Sequence, residues 1–376
     1  MNDKTGAEAR DETVPLYERL RERVRAAGAI SFRDWMEAAL YDPREGYYTR
    51  AGLARWGREG DYRTAPERSP LFAATFADYF ARVYEELGSP PEWTIFEAGA
   101  GAGHFARGVL QTLRDDYPRV FAATRYVIDE RSADARSRAV VLLRDFAARV
   151  RFQNGSDINA PVSFGVVVAN ELLDAFPVHR ATVRGGRLRE LYVVWDDGEG
   201  KFAWAEDEPG PPRLAQFLAR SDVTLSEGQT AEINLEAEEW LRGAARVFES
   251  GRLILVDYGA EAEDLYAAPH RRGGTLRAFR RHRFADDVLA RPGEQDLTTT
   301  VDWTRVRKVC EELGLEVVSF ERQDEFLLRA GLLDRLARMA SEAEDDADAV
   351  VLRSTARELI LPGGMSESFQ VLVQKK

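Results

Sequence analysis

The sequence predicts an α/β protein built on a parallel sheet, and three observations carry that prediction. From Trp93 onward, short apolar runs alternate with amphipathic stretches, the rhythm of strands joined by crossover helices. Two runs, "SFGVVVANE" and "GRLILVDYG", are apolar enough to lie buried on both faces of a sheet. Between the apolar "TIFEA" and the helical "HFARGVLQTL" stands a glycine loop, Gly99, Gly101 and Gly103, the junction of a strand with a helix.

The elements follow in order. Residues 13–40 read as helix, with Ser31 as an N-cap and Asp34 three residues later in a partial capping box. "YDPREGYYT" is a turn-rich link, and "SPLFAATFADYFARVYEELG" resumes helical spacing until "GSPPEW" breaks it. The first 90 residues therefore read as an N-terminal helical part, and residues 91–376 as the core. In the core, Phe105, Val109, Leu110 and Leu113 share one helix face. "RYVIDE" is the next strand, "SADARSRAVVLLRDFAARV" the next helix, and "EINLEAEEWLRGAARVF" a later one. Within 180–230, "RATVRGGRLRELYVVWDDGEGKFAW" alternates between Gly-Gly and Asp-Gly turns, the pattern of inserted β-hairpins. Residues 260–300 read as a long, Arg-rich, irregular segment. The tail reads as a helix over 302–313, the strand "LEVVSF", helices over 324–341 and 350–360, and a last strand after "LPGGMSES".

Composition narrows the function classes. A chain of 376 residues, 44% hydrophobic and 31% charged, can bury a large core in one or two domains. No run of about 18 apolar residues is present to cross a membrane. The acid-bearing start, "MNDKTGAEARDETVPLYERL", has no apolar h-region, so a cytoplasmic location is expected. Cys310 is the single cysteine, so no intrachain disulfide forms; it shares a helix face with Val306, Val309 and Leu313 and reads as core. The four histidines show no metal-binding spacing, and no metal is expected. A net charge of −12 disfavours nucleic acid as a partner.

The glycine loop invites a ligand. Without Cβ atoms the main chain can approach it closely, and the following helix offers unpaired N–H groups. Which ligand is decided by spacing and charge. A dinucleotide fold wants G-x-G-x-x-G, and a P-loop ends in Gly-Lys-Ser/Thr; here the spacing is G-x-G-x-G followed by His104. Glu97, two residues before the first glycine, would repel a pyrophosphate but suits a ligand bearing an ammonium group. S-adenosylmethionine has one, with a sulfonium and no phosphate, and the acidic-x-Gly-x-Gly-x-Gly string is similar to the first motif of Rossmann-like methyltransferases. An acid at the end of the second strand should accept the ribose hydroxyls. Asp129 and Glu130 both stand there, and since adjacent strand residues face opposite ways, one of them should reach.

Several stretches together, in order, carry a wider resemblance: "ISFRDWMEAALYDPREGYYT", "GDYRTAPERSPLF", "FEAGAGAGHFA", "VVANELLDAFPVHR", "LILVDYG", "GTLRAFRRHR", "PGEQDLTTTVDW" and "PGGMSESFQVL". From about residue 30 to the end, the chain resembles the MidA-like family of S-adenosylmethionine-dependent methyltransferases. The resemblance implies a Rossmann-like, seven-stranded class I methyltransferase core with inserted elements at the mouth of the site. It implies Glu130 rather than Asp129 as the ribose partner, through an E-x-S pattern that falls on Glu130 and Ser132. The chain departs from the family at His104 and at Ser366.

Cofactor-binding residues are then Glu97, Gly99, Gly101, Gly103 and Glu130, joined by Thr64 and Pro66 of "GDYRTAPE", which form a lid over the cofactor or, alternatively, a simple turn. The catalytic candidates are Asn170 and Glu171, at the end of "FGVVVA", and Glu67. A guanidinium is planar and cationic, and paired carboxylates suit it. A helix N-terminal charge is the competing reading for Glu171 and for Glu67. Asp174, Asp257 and Tyr258 follow nearby, and six arginines between 271 and 283 could contact a partner or pair with the chain's own acids. The expected activity is methyl transfer by in-line displacement to a protein arginine or a small molecule. The alternative is a non-catalytic assembly or interaction protein that binds S-adenosylmethionine. A homodimer is an admissible assembly.

Overall fold

The computed structural model describes residues 14–52, 69–153, 161–280, 283–343, 345–361 and 368–376. At its centre is a mixed sheet. Strands β2 (Trp93–Ala98), β3 (Thr124–Asp129), β4 (Val150–Phe152), β5 (Val162–Asn170) and β10 (Phe248–Ala260) run parallel; β16 (Phe369–Lys375) runs antiparallel to β10 and to β15 (Glu316–Arg322). The spatial order is β15-β16-β10-β5-β2-β3-β4, with β14 (Val301–Asp302) beside the far end of β10. This is the seven-stranded class I methyltransferase sheet. β2 is buried throughout, and residues 165–169 of β5 likewise, as expected of strands covered on both faces.

One face carries α3 (Pro70–Glu86), α4 (His104–Asp116), α11 (Gln323–Ala330), α12 (Leu332–Ser341) and α13 (Asp346–Ile360) over a core that includes Phe76, Phe80, Phe105, Tyr126 and Phe326. α3 starts cleanly, with Ser69 Oγ accepting from the Leu71 N–H and Pro70 in the first turn. The Arg335 guanidinium reaches from α12 to the buried Asp78 on α3 and to Asp116 on α4, which fixes these helices on one another. The stretch expected as one helix over 324–341 is two, because Gly331 takes a left-handed conformation (φ 102°) between α11 and α12. The opposite face carries α8 (Leu235–Ala244) and α10 (Trp303–Glu312) over Phe96, Val167, Phe248, Trp303 and Cys310.

A second sheet holds β1 (Ile30–Ser31), β6 (His179–Arg184), β7 (Arg187–Asp196), β8 (Lys201–Asp207) and β9 (Thr230–Ile233), all antiparallel. The expected hairpins are there. The helices α1 (Leu16–Ala27) and α2 (Phe32–Tyr41) pack on this sheet and not on α3: Leu20, Trp35 and Met36 share a core with Val178, Val193, Phe202, Ala278 and Leu297. The N-cap at Ser31 forms as read, accepting from the Asp34 N–H at 3.1 Å. Residues 260–300, expected to be irregular, contain α9 (Ala262–Ala267) and a small antiparallel sheet of β11 (Arg277–Arg280), β12 (Arg283–Phe284) and β13 (Asp296–Thr298). Ala278 and Leu297 anchor that sheet in the core, and strands of two to four residues are too short for an alternating pattern to show in the sequence.

Candidate active site

Register brings the candidate residues together. Ala98 stands opposite Asp129 on one side and Ala169 on the other, and Asn170 stands opposite Val256. The residues that follow, Gly99, Glu130, Glu171 and Asp257, therefore leave the carboxyl edge of the sheet side by side. That edge is where open α/β sheets bind ligands.

The loop after β2 is main chain held in a conformation that side chains resist. Gly99, Gly101 and Gly103 have φ values of 71°, 54° and 84°. A Cβ on Gly99 would lie 2.9 Å from Leu172 Cδ1, and one on Gly103 would lie 3.1 Å from Ala139 Cβ. Gly103 is also the N-cap of α4, so the open N–H groups of a 13-residue helix face the same crevice.

Glu130 braces that loop. Its Oε2 accepts from the Gly101 N–H at 2.8 Å and its Oε1 from the Ser132 N–H at 2.7 Å. An ionised carboxylate offers about four lone-pair sites, so each oxygen keeps capacity for a ribose hydroxyl. Burial raises its pKa, while these two N–H donors pull it down. The three left-handed glycines and the braced carboxylate thus fit an adenosyl group. Glu97 sits differently: it is buried beneath the loop, with its Oε2 accepting from the Tyr126 hydroxyl at 2.6 Å. Burial pushes its pKa up to about 7, with Tyr126 opposing and Glu130 adding to the rise.

Glu171 is one of three non-glycine residues with positive φ among the described residues, at 54°. Such a conformation costs roughly 1–3 kcal/mol and persists where surrounding contacts over-determine it. Its N–H is fixed on the Val256 carbonyl at 2.8 Å, and Asn170 Nδ2 donates to its Oε1 at 3.1 Å. The bend turns the chain into a short 3-10 segment, Leu173–Ala175, that Asp257 holds from below: its Oδ2 accepts from the Leu173 N–H at 3.0 Å and the Asp174 N–H at 3.3 Å. Asp174 Oδ2 accepts from the Tyr258 hydroxyl at 2.5 Å. Burial raises Asp174 to about 6, with Tyr258 and the Arg277 charge opposing the rise. Burial, Asp174 and Glu171 raise Asp257 well above its ordinary range. Arg277, not singled out from the sequence, lies over the Tyr258 ring with its guanidinium carbon 4.8 Å from the centroid.

Glu67, Thr64 and Pro66 lie outside the described residues. The arginine run does not form one free patch: Arg277 turns inward, Arg280 pairs with Glu294 at 3.4 Å, and Arg272 donates to the Glu227 carbonyl. Cys310 is buried in the core, its pKa pushed up to about 12 by burial. Tyr41 is a contributor the sequence reading missed. Its hydroxyl donates to the Ala175 carbonyl at 3.0 Å while Arg131 stacks on its ring, so α2 closes one side of the site. Only the aromatic density of "ALYDPREGYY" hinted at that role.

Residues 75–321 match a family described as "Putative S-adenosyl-L-methionine-dependent methyltransferase". A solved structure of a methyl transferase candidate from Burkholderia thailandensis, bound to S-adenosyl-homocysteine, is similar at a TM-score of 0.83 with 31% identity, covering 96% of this chain and 92% of that one. The mitochondrial protein arginine methyltransferase NDUFAF7 homolog of Drosophila melanogaster is 26% identical over 95% of this chain and 84% of its own length. The human protein arginine methyltransferase NDUFAF7, mitochondrial, is 22% identical over 96% of this chain and 83% of its own length. These names overturn the cytoplasmic location expected from the N-terminal composition, since the curated relatives are mitochondrial proteins. Among the described residues no helix is long and apolar enough to cross a membrane.

Proposed function

The chain belongs to this S-adenosyl-L-methionine-dependent methyltransferase family, and from that premise we propose that its methyl acceptor is a guanidinium nitrogen of a protein arginine. The observation that carries the proposal is the gathering of Glu171, Asp174 and Asp257 at the ends of β5 and β10, next to the glycine loop. A planar cation is the acceptor that such a carboxylate-rich edge suits. The printed names of the curated relatives support it.

In this reading Gly99, Gly101, Gly103 and Glu130 hold the adenosyl end, with Glu97 buried beneath the loop and ionising when the ligand's cationic end binds. The cofactor role of Thr64 and Pro66 and the acceptor role of Glu67 are carried into this reading from the sequence alone. S-adenosylmethionine, when bound, supplies an electrophilic methyl group. The chain's own residues do the rest. Glu171, held in its left-handed bend, and Asn170, bonded to it, orient the acceptor nitrogen. A carboxylate at this edge takes the proton that the nitrogen loses. Within the proposed division into 1–90 and 91–376, with 180–230 inserted and 260–300 at the site, α1 and α2 go with the inserted sheet and α3 with the core. In this reading α2 borders the acceptor side through Tyr41, and the core holds the cofactor.

The test is transfer of labelled methyl from S-adenosylmethionine into a mitochondrial and a bacterial protein extract, followed by acid hydrolysis. Label recovered as methylarginine supports the proposal. Label confined to low-molecular-weight material would replace the protein arginine with a small-molecule acceptor.

A further inference from the structure

A cavity of about 40 Å³ lies where α8, α9, α10 and β9 meet, walled on its apolar side by Leu241, Leu265, Val306 and Val309. At roughly 10–15 Å³ for each water-sized sphere, it has room for about three, the size of a molecule of three or four heavy atoms. It backs onto the bend that follows Glu171. Leu173 is part of its wall, and two other wall residues hold the same bend: Asn234 Nδ2 donates to the Leu173 carbonyl at 2.9 Å, and the Thr299 N–H donates to the Asp174 carbonyl at 2.9 Å.

The charge of this cavity favours an anion. Two ten-residue helices begin at its wall, since the N-cap residues of α8 and α10, Asn234 and Asp302, both line it. Arg305 lines it too and is only 2% exposed. Its Nε donates to Glu238 Oε1 at 2.8 Å, and its guanidinium carbon sits 5.8 Å from the ring centroid of Phe217; Glu238 and Phe217 are themselves wall residues. Nη1 and Nη2 are buried with no hydrogen-bond partner among the described residues; Glu312 Oε1 comes within 3.5 Å of Nη1, an ion pair without hydrogen-bond geometry. The carboxylates of the wall already have donors: Glu232 has Arg180 and Thr275, Glu238 has Arg305 and Arg242, and Asp302 has the Tyr266 hydroxyl and the Arg305 N–H. Donors are therefore in surplus here, and a buried guanidinium with unmet N–H groups asks for an acceptor.

We propose that this cavity is a second ligand site, for a short-chain monocarboxylate of acetate size, with its two oxygens on Arg305 Nη1 and Nη2 and its methyl group against Leu241, Val306 and Val309. The planar fork of a guanidinium matches a carboxylate, and the aliphatic wall gives carbon a surface that a water molecule could not bond to. Bound there, the anion packs behind Leu173 and braces the Leu173–Ala175 segment, so it tunes methyl transfer while touching neither cofactor nor acceptor. The site is independent of which acceptor the enzyme takes.

The test is titration of the full chain with sodium acetate, at an ionic strength held constant with sodium chloride, read by calorimetry and by melting temperature. Acetamide is the neutral control of the same shape. Arg305→Lys keeps the charge beside Glu238 and loses the fork; Val309→Leu narrows the cavity. Affinity for S-adenosyl-homocysteine checks that each variant is folded. The expected result is a saturable rise in melting temperature with acetate and none with acetamide or chloride, since a ligand that binds only the folded chain stabilises it. Acetate affinity should be about tenfold or more weaker in both variants. A wild-type crystal soaked in acetate should show a carboxylate on Arg305 Nη1 and Nη2, and this crystal decides alone if neither variant folds. A response to acetate no greater than that to acetamide or chloride would overturn the site. So would an undiminished response in Arg305→Lys, or density for water alone at the two nitrogens.

Discussion

The Glu130 carboxylate accepts the Gly101 N–H at 2.8 Å, so the end of the second core strand is tied to the middle of the glycine loop. One carboxylate therefore shapes the loop and faces the ligand at once. Glu130→Ala leaves the Gly101 and Ser132 N–H groups without their partner and removes the ribose acceptor. We expect affinity for S-adenosyl-homocysteine to fall by about 100-fold, as losing charge-assisted bonds worth roughly 1.5–3 kcal/mol each implies. Glu130→Gln, which keeps one acceptor oxygen, should fall between. Calorimetry of the three chains checks the order.

Glu171 combines strain with a proposed role. At φ 54° a glycine is at ease, so Glu171→Gly removes strain of roughly 1–3 kcal/mol and adds about 0.5–1 kcal/mol of unfolded-state entropy. The variant should melt at or above the wild-type temperature and lose methyl transfer by about 100-fold or more. A clear drop in melting temperature would show that the side chain, and not the backbone, is what the fold needs there.

Glu97 gives a pH signature of opposite sign to that of an ordinary surface acid. Burial raises its pKa from 4.5 to about 7 in the folded chain, so the protonated form is the one the fold favours. Its contribution to stability is full below about pH 4.5 and is lost as the pH rises through about 7. Glu97→Gln should therefore be more stable than wild type at pH 8, by about 3 kcal/mol at 1.36 kcal/mol per unit, and close to it near pH 4.5. If Glu97 also answers the ligand's ammonium, the same variant binds S-adenosyl-homocysteine more weakly at pH 8. Denaturant melts at the two pH values, with one titration, read both effects.

Asp174 predicts an acid limb. Its neighbours are Tyr258 through the hydroxyl, Asp257, whose carboxylate accepts from the Asp174 N–H, Glu171 at the bend and the Arg277 charge over the tyrosine ring. With a pKa of about 6, the carboxylate is lost as the pH falls through that value, and transfer should fall with it. Arg277 lowers this pKa, so Arg277→Gln should move the limb to higher pH. A limb that stays in place would separate Arg277 from the titrating group.

What the sequence showed and what it hid divide along contact distance. The loop, its two flanking acids and the strand-to-helix rhythm are local patterns, legible in "TIFEAGAGAGHFARGVLQTL" and "YVIDERS". The N-cap at Ser31 is local as well. The Tyr258 hydroxyl on Asp174 joins residues 84 apart, and Tyr41 on Ala175 joins residues 134 apart, so neither has a periodicity to betray it. The place of Glu97 before the glycines is legible in the sequence; its hydrogen bond from the Tyr126 hydroxyl, 29 residues later, is not. The α1–α2 pair read as part of one helical unit, yet Trp35 and Met36 find their apolar partners in the inserted sheet, more than 130 residues later in the chain.

The most direct measurement is a crystal structure of the full chain grown with S-adenosyl-homocysteine. The account predicts the ribose hydroxyls within hydrogen-bond distance of Glu130 and the ligand's main-chain-like end against Gly99–Gly103, with the sulfur directed toward Asn170 and Glu171. An adenosyl group lodged elsewhere, with Glu130 still occupied solely by Gly101 and Ser132, would contradict it.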